Sequence, residues 1–167
     1  MASSRSPHAK RSLTLLALWS VARAALGQDA VEKSELIEVQ LTNASSESAT
    51  CVRVQFLNRT EINLYIPSYV AEQRSDLSDV FELESRQGEK IAFTGIIAKR
   101  QRLTVEDAVL LPASGVFESR ICLDELYDIP SDLAAIRYQR LIGVDQLVGE
   151  TLELYSFELL VSNSVRL

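Results

Sequence analysis

Residues Asp79 to Tyr138 read DVFELESRQGEKIAFTGIIAKRQRLTVEDAVLLPASGVFESRICLDELYDIPSDLAAIRY. Short runs that alternate apolar and polar side chains are separated by turn signals about every ten residues, which is the rhythm of a small antiparallel β-sandwich. In Val80 to Glu84, Phe81 and Leu83 point to one face. Arg86-Gln87-Gly88-Glu89 reads as a hairpin turn with Gly88 free to take positive φ. Ile91, Phe93 and Ile97 are expected to continue the inward face, with Gly95 marking a bulge or a close backbone approach. After Val109 to Leu111 and the Pro112 to Gly115 turn, Val116 to Leu123 sends Phe117, Ile121 and Leu123 inward and Glu118, Arg120 and Cys122 outward.

The flanks keep the same period. Ile37, Val39 and Leu41 share one face of a first, edge strand, and Val52, Val54 and Phe56 share one face of a second, leaving Cys51, Arg53 and Gln55 outward. Asn63 to Tyr69 is a third strand closed by Pro67, and Glu72 to Ser78 a charged loop or one helical turn. Leu133 to Tyr138 and Leu152 to Val161 complete a count of about eight strands with no long helix. The expected fold is all-β, a single immunoglobulin-like antiparallel β-sandwich of about seven to nine strands spanning residues 34–167.

The first 27 residues differ in character. Arg5, His8, Lys10 and Arg11 precede the apolar run Leu13 to Val21 and the small-residue stretch Ala22 to Gly27, the layout of a secretory signal peptide cleaved after Gly27. An uncleaved anchor is the alternative, although the apolar run falls well short of the roughly 20 residues that cross a bilayer as a helix. Residues 28–33 would then form a short N-terminal segment. Losing Arg5, Lys10, Arg11 and Arg23 from the 17 basic residues leaves 13 against 23 acidic ones, a formal charge of −10. That balance argues against nucleic acid and anionic membranes as partners and favours neutral or basic proteins.

Secretion gives the two cysteines a meaning. Cys51 and Cys122 have the same outward parity, and if their strands are antiparallel neighbours the start of one lies opposite the end of the other. One disulfide or two free thiols are the choices. Asn43-Ala44-Ser45 and Asn58-Arg59-Thr60 fit the N-glycosylation pattern at strand ends, making Asn43 and Asn58 candidate acceptors. Lys99, Arg100 and Arg102 form a basic run in an acidic protein, either a partner contact or a solvated loop.

Catalytic signatures are missing. His8 is the only histidine and lies in the signal-like segment, so HExxH zinc sites and Ser-His-Asp or Cys-His systems have no histidine to use. No phosphate-binding glycine motif occurs, and no cofactor is expected. Asp124, Glu125, Asp128 and Asp132 read as solvation and capping near a turn.

The order Asp79-Val80-Phe81, Gly88, Phe93-Thr94-Gly95, Lys99-Arg100, Glu106-Asp107 with Leu111, Asp124-Leu126-Tyr127-Asp128, Ile136-Arg137-Tyr138 and Ser162-Asn163-Ser164-Val165 resembles the non-catalytic N-terminal β-sandwich region of deuterolysin-like (aspzincin, lysine-specific) metalloendopeptidases. The resemblance is concentrated in Asp79 to Tyr138. Peptidases of that family continue into a domain with HExxH and a downstream Asp ligand, whereas this sequence ends at Leu167, and Ser131 to Ala134 replaces the family's Gly-Tyr-like approach to its late strand. The resemblance therefore implies a sandwich and an association with secreted proteolysis, and no peptidase residues. The first expectation is a secreted, non-enzymatic sandwich that works by protein–protein contact, binding or restraining a metalloendopeptidase through an edge strand or through loops. A second is the non-catalytic half of such a peptidase, truncated or separately encoded. A third is a carbohydrate-binding or adhesion module, for which Tyr65, Tyr69 and Tyr155 are the aromatic candidates.

Overall fold

A computed structural model describes residues 34–74, 78–98 and 102–167. The strands are β1 (Ile37–Asn43), β2 (Cys51–Asn58), β3 (Leu64–Pro67), β4 (Phe81–Ser85), β5 (Lys90–Ile91), β6 (Ala108–Leu111), β7 (Val116–Cys122), β8 (Leu133–Val148) and β9 (Thr151–Arg166), with one helical turn, α1 (Ser68–Ala71). They form two antiparallel sheets, an all-β sandwich. The smaller sheet has the order β1-β2-β7. In the larger, β8 is the spine: β9 pairs along one of its edges, while β4 pairs with its first half (Phe81 opposite Tyr138) and β3 meets its second (Tyr65 opposite Asp145). β5 and β6 lie outside β4 and β3.

Alternation places the core between the sheets. Ile37, Val39 and Leu41 are buried, as are Val52, Val54 and Phe56 on the neighbouring strand, where Val39 stands opposite Phe56 and Leu41 opposite Val54. From the larger sheet, Tyr138 meets the Phe56 ring edge-on at 5.5 Å and the Phe81 ring at 5.6 Å. Its hydroxyl, fully buried, donates to the Val70 carbonyl at 3.1 Å, so the polar tip is satisfied. Burying a side chain such as Phe56 is worth about 1.5–3 kcal/mol relative to exposure.

Cys51 and Cys122 stand directly opposite each other in the β2–β7 register and form a disulfide. The choice left open by the sequence is thereby made. Both sulfurs sit on the outward side of the sheet, yet Cys51 is buried: the Ser45 hydroxyl bonds its peptide N–H and C=O, each at 3.1 Å, and Arg120 approaches its Sγ at 3.4 Å. Closing a loop with a sequence separation of 71 residues restricts the unfolded chain. On the chain-entropy account this is worth about 4 kcal/mol.

Three expectations need correction. β8 does not end at Tyr138 but runs to Val148, and β9 starts at Thr151 and reaches Arg166, beyond the expected Leu152 to Val161. The two are joined by Gly149 and Glu150, with Gly149 at φ +63°, a two-residue hairpin that needs a residue tolerant of positive φ. Ile97 is not inward but 90% exposed. β5 pairs only through Lys90 and Ile91, so nothing carries the alternation that far. Phe93 does turn inward, meeting Tyr127 at 5.4 Å, and any side chain at Gly95 would collide with the Phe93 ring and Leu126, the close approach expected there. The described part of Glu72 to Ser78 is loop, one of the two alternatives expected there, with residues 75–77 outside the described residues; the helical turn comes before it, because Pro67 ends β3 and leads directly into α1. Residues 1–27 and 28–33, the expected signal and N-terminal segment, lie outside the described residues.

Candidate protein-binding face

Strands that pair directly put opposed residues on one face, so the outer face of the larger sheet follows from the register. Across β6, β3, β8 and β9 one row reads Leu110, Tyr65, Asp145 and Leu154. The next two rows of the hairpin are Gly143 with Phe157 and Leu141 with Leu159. These side chains point away from the smaller sheet. Phe157 is 68% exposed, Leu141 60% and Leu154 53%, and Leu110 and Tyr155 are exposed as well. The absent side chain at Gly143 leaves room that Leu154 and Phe157 occupy: a Cβ there would lie 3.2 Å from Leu154 Cδ1 and 3.9 Å from Phe157 Cε1. Tyr155 is the extra residue of a bulge, since Ser156 pairs with Val144 and Leu154 with Asp145. The result is a contiguous apolar platform rather than scattered surface leucines, the kind of patch that marks an interaction site.

Asp145 lies in the middle of the row, next to Leu154. Burial holds its carboxyl above the ordinary aspartate range, and the Arg102 guanidinium partly offsets this. Arg102 also donates to the Leu152 carbonyl at 3.2 Å, which anchors the segment that follows the basic run to the hairpin.

β9 is also an edge. Among the described residues no strand pairs with it on the side away from β8. Ser34 donates to the Leu159 carbonyl at 3.0 Å, and Asn163 bonds the Leu41 peptide N–H and C=O at 2.8 and 3.0 Å, so β1 leans against the second half of β9 through these contacts. Among the described residues no strand pairs with the stretch from Thr151 to Glu158 on this side. Beside it Glu35, Leu36, Tyr155, Phe157 and Glu158 line an open notch of about 650 Å³.

Of the sequence candidates, Arg102 is brought to this face, and Lys99 and Arg100 lie outside the described residues. Tyr155 and Tyr65 belong to it, while Tyr69 is half-buried and packs against the core. Asp124 accepts from the Thr50 peptide N–H at 2.8 Å, a turn contact. Asn43 is exposed, its Oδ1 accepting from Ser45 N–H at 2.8 Å. Asn58 corrects the second sequon: it is 1% exposed, and its amide nitrogen donates to the carbonyls of Ile62, Leu111 and Pro112 at 2.8, 3.1 and 3.0 Å. A glycan on that nitrogen would displace the turn packed around it, and Thr60 serves instead to bond Asn58 Oδ1 at 2.8 Å. Leu141, Leu154 and Phe157 were not singled out from the sequence. The available signal was apolar residues at both parities in Leu152 to Val161, which a strand with only one covered face does not need.

Among the described residues no cluster of three or more His, Cys, Asp or Glu could hold a metal, and no helix is long and apolar enough to cross a membrane. No protein-family model matches the chain, and no curated protein matches it in sequence.

Proposed function

We propose that this protein is a secreted, non-enzymatic β-sandwich that acts by binding another protein through the outer face of the β8–β9 hairpin. The observation that carries this is the exposed platform of Leu141, Leu154 and Phe157 on a strand pair whose inner face, through Ile142, Val144 and Leu160, already belongs to the core. A soluble domain gains nothing in stability from leaving such side chains in water, whereas a partner that covers them gains about 25 cal/mol for each Å² of apolar surface. Secretion is supported by the signal-like first 27 residues and by the disulfide. Asn43 is the glycan acceptor under this reading. The resemblance of Asp79 to Tyr138 to a peptidase pro-region makes a secreted metalloendopeptidase the first partner to try.

The test is affinity measurement against candidate secreted peptidases with the parent protein and with Phe157→Asp. Truncating a central interface aromatic removes about 2 kcal/mol or more, and a buried charge adds to that, so binding is expected to fall by at least about thirtyfold. Equal affinity for parent and Phe157→Asp, with Arg53→Asp on the opposite sheet giving the loss instead, would move the interface to the smaller sheet and end this reading.

A further inference from the structure

We infer that the open edge of β9 takes an extended peptide segment of alternating basic and apolar residues as an added strand; this rests on the protein-binding reading above and assigns the partner's chemistry and its mode of binding. Three features of the edge converge. The first is the backbone. The Leu159 carbonyl points away from β8, because it accepts from Ser34. Residues alternate along a strand, so the N–H and C=O of Phe157 point to the same side, where no described strand meets them. An edge of this kind is a template for strand addition.

The second feature is the shape beside it. The notch lined by Leu36, Tyr155 and Phe157 lies along the same residues whose backbone is open, so a strand entering there lays alternate side chains against two aromatic rings. The third is charge. Glu35 and Glu158 line the notch, Glu153 lies on β9 itself, and Glu150 stands in the hairpin turn. Among the described basic groups of the hairpin and its surroundings, Arg140, opposite Leu160, donates to the Asp79 carbonyl at 3.1 Å, Arg102 holds the Leu152 carbonyl, and Arg166 lies at the far end of β9. A second copy of this chain would bring the same glutamates against themselves, which disfavours self-pairing. A segment with lysine or arginine at every other position meets carboxylates instead, while its intervening apolar residues reach the rings.

The experiment is fluorescence anisotropy of the purified protein with a labelled, acetylated octapeptide alternating lysine and valine. Three companions share its length: one alternating glutamate and valine, and two lysine–valine peptides N-methylated on every second amide, one in each of the two phases. The lysine–valine peptide is expected to bind at least about tenfold more tightly than the glutamate peptide, a difference of about 1.4 kcal/mol, and the gap should narrow with added salt. One N-methylation phase should abolish binding and the other leave it, because only alternate amides face β9. Phe157→Pro, which removes an outward N–H at an edge where proline is tolerated, should lose binding more completely than Phe157→Thr. Binding that ignores both methylation phases while remaining sensitive to Phe157→Thr would mean docking on the platform without strand addition, overturning this inference and sparing the protein-binding reading. Equal affinity for both charge patterns, selective binding of oligosaccharides, or a dimer broken by Phe157→Pro would each assign the edge to another occupant and overturn it as well.

Discussion

The outer face of the smaller sheet and the outer face of the β8–β9 hairpin are built by the same alternation and end as different surfaces. On the smaller sheet, Arg53 and Gln55 on β2 and Glu118 on β7 point away from the core, beside Arg120 and the Leu57–Val116 pair, and the first three satisfy one another: Arg53 Nε lies 3.3 Å from Glu118 Oε1, and the Gln55 amide donates to Glu118 Oε2 at 2.7 Å. On the larger sheet the half formed by β6, β3 and the β8–β9 hairpin carries Leu110, Tyr65, Leu154, Phe157 and Leu141 with Asp145 among them, whereas the half around β4 is charged, with Glu82 between Lys90 and Arg137. Both sheets bury their inner faces in one core. The contrast shows that the inner face specifies the fold, leaving the outer face free either to be solvated or to be covered by something else. An exposed ion pair contributes about 0–1 kcal/mol, so the polar face of the smaller sheet is there for solubility more than for stability.

The largest disturbance comes from the layer both sheets share. Phe56→Ala removes the ring that Tyr138 meets edge-on, and it is expected to lower unfolding free energy by about 3–5 kcal/mol in a denaturant titration. One cooperative transition should persist, because the two sheets have no separate cores; two resolved transitions would mean that the sheets fold independently. The outer faces should respond differently from the core and from each other. Phe157→Thr and Arg53→Thr are each expected to leave stability within about 0.5 kcal/mol of the parent, as exposed positions do. Only Phe157→Thr should reduce binding of an apolar fluorescent dye to the native protein, and a dye signal unchanged by it would show the platform to be covered.

The smallest expected effect is electrostatic. Burial raises the Asp145 carboxyl above its ordinary value of 3.8, with Arg102 opposing, so the native state holds this proton more tightly than the unfolded chain does. The contribution of this group to stability is therefore greatest in acid and falls as pH rises from 3.8 through the higher native value. Asp145→Asn should flatten that part of the stability profile and raise Tm at neutral pH. A Tm that falls on substitution would mean that the pairing with Arg102 outweighs desolvation.

Much of this was legible from local pattern. Ile37, Val39, Leu41, Val52, Val54 and Phe56 face inward as their spacing requires, Gly88 takes φ +82° in its hairpin, and the shared parity of Cys51 and Cys122 matches their bond. The length of the β8–β9 hairpin is not legible in the sequence because Leu141, Ile142, Val144, Leu147 and Val148 occupy both parities and Gly143 interrupts them, so the period of two is hidden. Ile97 shows the reverse error, an alternation with no partner strand to use it. The Asn58 sequon is a tripeptide pattern, but two of the carbonyls that claim its amide lie 53 and 54 residues further along the chain. No local reading reaches them.

What the sequence determined by itself is which face of most strands is apolar, where the chain turns, and that two cysteines could meet; these depend on side-chain period and on backbone restrictions of single residues. Tertiary structure alone decided which apolar residues are covered. Leu160 and Phe157 are both large and hydrophobic on the same strand, yet one is buried and the other is mostly in water. The difference is the second sheet, which lies against one side of the hairpin only, and burial is a property of what arrives from elsewhere in the chain.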